Sequence, residues 1–97
     1  MSASVQRRLR EDPVFAAMTA DVARVRRAWP GVHVVAHRDE QSGRVSFHLH
    51  VRPADRQRLV ELLGSVSLNE MRNGNVTSFH FQGSRRDMDR LLRGLGS

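Results

Sequence analysis

The chain has 97 residues, enough for one small domain with a modest core. It contains no cysteine, which excludes disulfide bonds and thiolate metal sites, and no apolar run approaches the roughly 20 residues of a membrane helix. The formal net charge is +6, from 16 arginines, no lysine and 10 acidic residues. We therefore expect a cytoplasmic protein without a cofactor and without a membrane partner.

The basic charge is concentrated at the start of the chain. Arg7, Arg8 and Arg10 stand in the first ten residues with no acidic residue among them, whereas residues 11–97 carry 13 arginines against 10 acids. We predict a flexible basic arm over residues 1–10, followed by a single α+β domain over residues 11–97. Because guanidinium groups bind phosphate and carboxylate oxygens in pairs, the arm is a candidate contact for nucleic acid or for an acidic protein partner.

The first predicted helix begins at "EDP", with Asp12 as N-cap and Pro13 in the first helical position. Its apolar stripe, at steps of three and four, is predicted to be Val14, Met18, Val22, Val25 and Trp29. Arg24 and Arg27 lie mainly off this stripe, so we add them to the candidate phosphate contacts. The "WPG" sequence then ends the helix in a turn.

The segment "VHVVAHRDEQSGRVSFHLHV" alternates in a period of two, which is typical of strands. We predict a hairpin whose four-residue loop "EQSG" puts Gly43 in a position that needs a positive φ. This register places His33 opposite His50 and Val35 opposite His48.

The rest of the chain repeats the same pattern of a hairpin followed by a helix. Pro53 is predicted to open the second helix and Gly64 to end it, a second hairpin is predicted around "NG", and Ser84 is predicted to cap the third helix. The side chains of these two helices that are predicted to face inward are Leu59, Leu62, Leu63, Met88, Leu91, Leu92 and Leu95.

An internal repeat supports this organisation. Shifting the chain by 32 residues aligns 47–65 with 79–97, and 8 of the 19 positions are identical. We predict a ββα pseudo-repeat, 31–64 and 66–97, and hence a two-layer α+β sandwich. Its four-stranded, mainly antiparallel sheet has the helices on one face, as in a circularly permuted ferredoxin-like arrangement, which by itself implies no function. The order of elements also resembles small modules of secretion and pilus-assembly platforms, although no motif assigns the chain to them.

Strand alternation predicts one unusual surface. If the phenylalanines face the helices, the opposite face of the sheet gathers His33, Val35, His37, His48, His50 and His80. Four interpretations remain open: a solvated polar face, an interface with a partner or a second copy, nucleic acid stacked on the imidazoles, and a metal or acid–base site. In the nucleic-acid interpretation Arg38, Arg44 and Arg52 hold phosphates at the rim.

The sequence carries no nucleophile motif, phosphate-binding glycine loop or zinc-protease signature. We therefore predict a non-enzymatic module that binds RNA or DNA through its arginine-rich arm and basic surface. The alternative is an interaction adaptor or homodimer that uses the histidines and Val35. A histidine-based metal site or ribonuclease comes third.

Overall fold

The helices and strands follow the predicted order of a leading helix and two ββα units. The computed structural model describes residues 12–64 and 66–96, so the predicted arm with Arg7, Arg8 and Arg10 lies outside the described residues. In chain order the elements are α1 (Pro13–Ala28), β1 (His33–Arg38), β2 (Val45–Val51), a 3-10 turn (Pro53–Asp55), α2 (Arg56–Leu63), β3 (Asn69–Asn73), β4 (Val76–Gly83) and α3 (Arg85–Gly94).

The four strands form one antiparallel sheet in the order β1-β2-β4-β3, packed against the helices. This is the strand order of the permuted ferredoxin-like arrangement, and it confirms the predicted fold class. The first hairpin has the predicted register, with His33 opposite His50 and Val35 opposite His48. In the centre of the sheet β2 pairs with β4, which puts His50 opposite His80.

Glycines with positive φ make both hairpin turns. Gly43 has φ 73°, as predicted, and its N–H donates to the carbonyl of Asp39 at 2.8 Å. The second hairpin turns at the predicted "NG" sequence: Asn73 pairs with Val76, so the two-residue loop consists of Gly74 and Asn75. Gly74 has φ 65° in the first central position, the backbone that a type II′ turn requires.

Side-chain caps fix where α1 and α3 begin. Asp12 accepts a hydrogen bond from the backbone N–H of Phe15 at 3.0 Å, and Asp87 accepts one from the N–H of Ser84 at 2.9 Å. Gly64, with φ 79°, ends α2 as predicted. The start of α2 differs from the prediction, because Pro53 opens a 3-10 turn and the α-helix begins only at Arg56.

The core lies between the sheet and the helices, and Phe47 on the central strand β2 is fully buried within it. The other fully buried side chains are Met18, Val25, Val34, Leu49, Val51, Leu59, Met88 and Leu91. Gly83 is buried beside the same ring, and a Cβ at this position would lie 2.5 Å from the Phe47 ring. The absence of a side chain at Gly83 thus lets β4 pack closely beside Phe47.

The predicted stripe of α1 is wrong at its first residue. Met18, Val22, Val25 and Trp29 are buried, but Val14 is 60% exposed. Val14 lies only about 20° around the helix from the buried Val25, so its exposure follows from its place in the first turn of α1 rather than from its phase. Phe15, three residues before Met18, is partly buried instead.

Candidate functional site

The sheet surface that faces away from the helices carries all five histidines of the chain. We call this surface the histidine face; its strand residues are His33, Val35, His37, Ser46, His48, His50, Asn69, Met71, Asn73, Val76, Ser78, His80 and Gln82. The two central strands supply His48, His50 and His80. Alternation along each strand gives this grouping, because the intervening side chains face the core.

The five imidazole rings form one continuous chain of contacts across three strands. Ring centroids are 5.0 Å apart for His37 and His48, 5.0 Å for His48 and His80, 4.7 Å for His80 and His50, and 5.7 Å for His50 and His33. The His48 and His80 rings meet edge to edge and are nearly coplanar, with an interplanar angle of 24°. These rings therefore give the middle of the sheet an aromatic surface.

A hydrogen bond between two of these imidazole rings joins the two central strands. Nδ1 of His48 and Nε2 of His80 are 2.8 Å apart, so one ring donates the proton that lies between them. Nε2 of His48 is buried and has no hydrogen-bond partner within 12–64 and 66–96. The His48 ring is thus held in place at Nδ1 by its hydrogen bond, and its Nε2 is shielded from solvent.

Both β2 histidines favour the neutral form. Burial lowers the pKa of His48, and the neighbouring charges of His80, His37 and His50 lower it further. Burial likewise lowers the pKa of His50, together with the charges of His80 and His33. At neutral pH these two rings are therefore uncharged aromatic surfaces, and a nearby anion would favour their protonation.

No strand residue of the histidine face, as described, carries a carboxylate. The carboxylate of Asp39, in the turn after His37, interacts with the charge of that histidine. Its Oδ1 accepts hydrogen bonds from the backbone N–H groups of Ser42 at 2.8 Å and Gln41 at 2.9 Å. These bonds lower the pKa of Asp39, the Ser42 bond most, and they hold its side chain in the turn.

The histidine face is also apolar in places. Val35 is 36% exposed, Met71 47% and Val76 67%. Sequence reasoning singled out Val35 but missed Met71 and Val76. The alternation of Val76, Ser78 and His80 along β4 was the signal that could have found Val76.

The structure does not bring all the predicted arginines together. Arg44 and Arg52 lie at the two ends of β2, in phase with its histidines, and Arg52 forms an ion pair with Asp55 at 3.2 Å. Arg24 and Arg27 lie on α1, in the layer on the other side of the sheet. Of the predicted contacts that the structure describes, Arg44 and Arg52 are therefore the ones placed beside the histidine face.

Arg38 is not at the rim of the histidine face. Its side chain is on the same face of β1 as Val34 and Ala36, and its guanidinium forms an ion pair with Asp12 at 2.6 Å. That contact ties the end of β1 to the start of α1. The expectation that Arg38 holds phosphates beside the histidines is wrong, since its side chain is turned towards the helix layer.

The geometry offers little to acid–base or metal chemistry. His48 and His80 are in direct contact, which leaves no space between them for a scissile phosphate. In the described part of the chain no group of three or more histidine, aspartate or glutamate side chains is arranged to hold a metal ion. The described helices also include none that is both long enough and apolar enough to span a bilayer.

Comparisons with protein-family models, with curated proteins and with solved structures found no match to this chain. The functional argument therefore depends on the geometry of the histidine face.

Proposed function

We propose that the protein is a non-enzymatic module that binds single-stranded nucleic acid across its histidine face. The observation that carries this proposal is the continuous chain of five imidazole rings on a sheet surface whose described strand residues include no carboxylate. The proposal places the protein in the cytoplasm, where single-stranded RNA is available.

Stacking would supply the contacts to bases. Histidine rings, like other aromatic side chains, stack on unpaired bases, and four-stranded sheets commonly present such rings on their central strands. His48, His50 and His80 occupy the two central strands here. Every base has an aromatic face, so we expect weak discrimination between sequences.

Charge favours an anionic ligand on this surface. Arg44 and Arg52 stand at opposite ends of β2 and would contact phosphates, while the imidazoles gain charge as they take up protons. Bound phosphate favours the charged imidazole, so binding is expected to strengthen as the pH falls from about 8 to about 6. Arg7, Arg8 and Arg10, outside the described residues, would add contacts that do not depend on sequence.

A fluorescence-anisotropy titration with a labelled single strand of about 12 nucleotides tests the proposal. We expect His80→Ala to weaken binding about tenfold, because stacking on an aromatic side chain contributes about 1–3 kcal/mol per base. Arg44→Ala should weaken binding and should make the slope of log affinity against log salt concentration shallower by about one, the loss of one phosphate contact.

The matched control is Arg93→Ala, which removes the same charge from α3 in the helix layer and should leave affinity nearly unchanged. Deletion of residues 1–10 should weaken binding without abolishing the effect of His80→Ala. Binding that His80→Ala and Arg44→Ala leave intact, or no binding at about 50 mM salt, would overturn the proposal.

A second candidate is a protein partner, or a second copy, packed flat against the same face. The exposure of Val35, Met71 and Val76 there favours this candidate, because apolar patches among polar residues are typical of interfaces. Protonation of five histidines would charge such an interface, so a face-to-face dimer should be looser at pH about 5.5 than at about 8. Sedimentation at the two pH values measures this.

A further inference from the structure

Strand β3 is an edge strand that the rest of the described chain leaves open. It pairs on one side with β4, and all five of its residues are exposed, on both faces of the sheet. The opposite edge, β1, differs because α1 packs against it and Val34 is fully buried there. An exposed edge presents unpaired backbone N–H and C=O groups that accept another strand.

The turn before β4 determines which residues of β3 face that open edge. Asn73 and Val76 flank a two-residue turn, so they form a hydrogen-bonded pair. Hydrogen-bonded and non-bonded pairs alternate along an antiparallel ladder. Glu70 and Arg72 therefore direct their backbone N–H and C=O groups away from β4, towards the open edge.

The sequence of β3, "NEMRN", has charges that are complementary to their own reverse. We propose that β3 pairs antiparallel with β3 of a second copy, about a twofold axis at Met71. Glu70 of each copy then lies opposite Arg72 of the other, and Asn69 lies opposite Asn73. Within one chain Glu70 and Arg72 are 3.8 Å apart and largely exposed, so both charges are accessible to a partner.

Other registers are disfavoured by the same residues. A shift of two residues in one direction puts Glu70 opposite Glu70, and a shift in the other puts Arg72 opposite Arg72. Like charges directly opposite destabilise a strand pair. A slip of one residue mismatches both the faces and the hydrogen-bonding groups. The pairing centred on Met71 is the one that satisfies backbone and charge together.

The proposed dimer is isologous and has one continuous eight-stranded sheet. Its axis is perpendicular to the sheet, so the two histidine faces lie on the same side, with the two Met71 side chains between them. A five-residue strand pair buries a small area, so we expect a weak dimer, with a dissociation constant on the order of tens of micromolar.

Sedimentation velocity of the full chain, at about 0.15 M salt, tests the proposal by charge exchange. Glu70→Arg and Arg72→Glu should each weaken self-association by more than about tenfold, because each puts like charges opposite one another at two places. The double variant Glu70→Arg/Arg72→Glu should restore the wild-type dimer. An equimolar mixture of the two single variants should form a heterodimer, since both cross-pairs become attractive.

The matched control is Glu61→Arg, an equal charge change on α2, which should leave the dimer intact. Circular dichroism verifies that each variant is folded. Four results would overturn the proposal: a wild-type chain that stays monomeric at about 500 µM, single variants that associate like wild type, a double variant that does not recover, or a mixture that does not associate.

Discussion

Strands β1 and β3 are the two edges of one sheet, yet only β1 contributes a fully buried side chain to the core. Val34 on β1 is fully buried and α1 packs against this strand, whereas every residue of β3 is exposed. Each ββα unit supplies one helix, and the leading helix α1 adds a third that lies on the β1 side. The comparison shows how one additional helix completes the core at one edge and leaves the other edge exposed.

The largest expected change in stability comes from removing an aromatic ring from the core. Phe47 on β2 is fully buried and its centroid lies 5.8 Å from that of Phe81, so Phe47→Ala should lower the free energy of unfolding by about 3–5 kcal/mol. Val76→Ala, at the exposed end of the β3–β4 hairpin, should change it by no more than about 0.5 kcal/mol. Urea denaturation measures both, and equal effects would contradict a core that buries Phe47 and leaves Val76 outside it.

A methyl group added beside the same ring should have the next largest effect. Gly83→Ala would place its Cβ 2.5 Å from the Phe47 ring and 2.7 Å from the Phe81 ring, and should cost about 1–3 kcal/mol. Gly31→Ala is the control, because the nearest atom to its Cβ is the flexible end of Arg52 at 3.3 Å. A Gly83→Ala protein as stable as wild type would contradict the close packing of β2 and β4.

The cap of α1 should contribute less. Asp12→Ala removes the acceptor for the Phe15 N–H and should cost about 1 kcal/mol, measured by denaturation. Asp12 also forms an ion pair with Arg38. Arg38→Ala removes that pair and keeps the cap, and it should cost only about a few tenths of a kcal/mol. If Arg38→Ala costs as much as Asp12→Ala, the ion pair rather than the cap accounts for the effect of Asp12 on stability.

The smallest predicted effect is a pH dependence of stability that arises from the histidine face. The folded state lowers the pKa values of His48 and His50, mainly by burial, so the unfolded chain binds protons more readily. This contribution is fully present above the unfolded value of about 6.5 and is lost as the pH falls below it. Unfolding free energy should therefore decrease from pH about 8 to about 5.5, and His48→Asn should reduce that decrease. An unchanged slope in His48→Asn would contradict the lowered pKa.

Much of the fold could be predicted from the sequence because short-range patterns determine it. Alternation in "VSFHLHV" fixes which side chains share a face, and the loop with Gly43 fixes the register of the first hairpin. Val14 shares the apolar stripe of α1 but is exposed, because it lies in the first turn of the helix and periodicity does not predict where packing along a helix ends. Arg38 shares the face of Val34 and Ala36 because strand alternation continues to the end of β1.

The candidate site was only partly predictable for a related reason. Alternation groups the histidines on one face, but their ring contacts depend on how β2 pairs with β4. That pairing joins residues 28 to 36 positions apart in the chain, and it places His50 opposite His80 and Nδ1 of His48 2.8 Å from Nε2 of His80. No local pattern encodes this register. The openness of β3 was equally hidden, since it depends on where α1 packs.

The most direct test of the central claim is an NMR titration of the imidazole side chains with a single-stranded oligonucleotide. If the histidine face binds nucleic acid, the ring signals of His48, His50 and His80 should shift together as ligand is added, and those of His33 and His37 should shift less. Unshifted rings, with changes confined to the arginines of α1, would contradict the account.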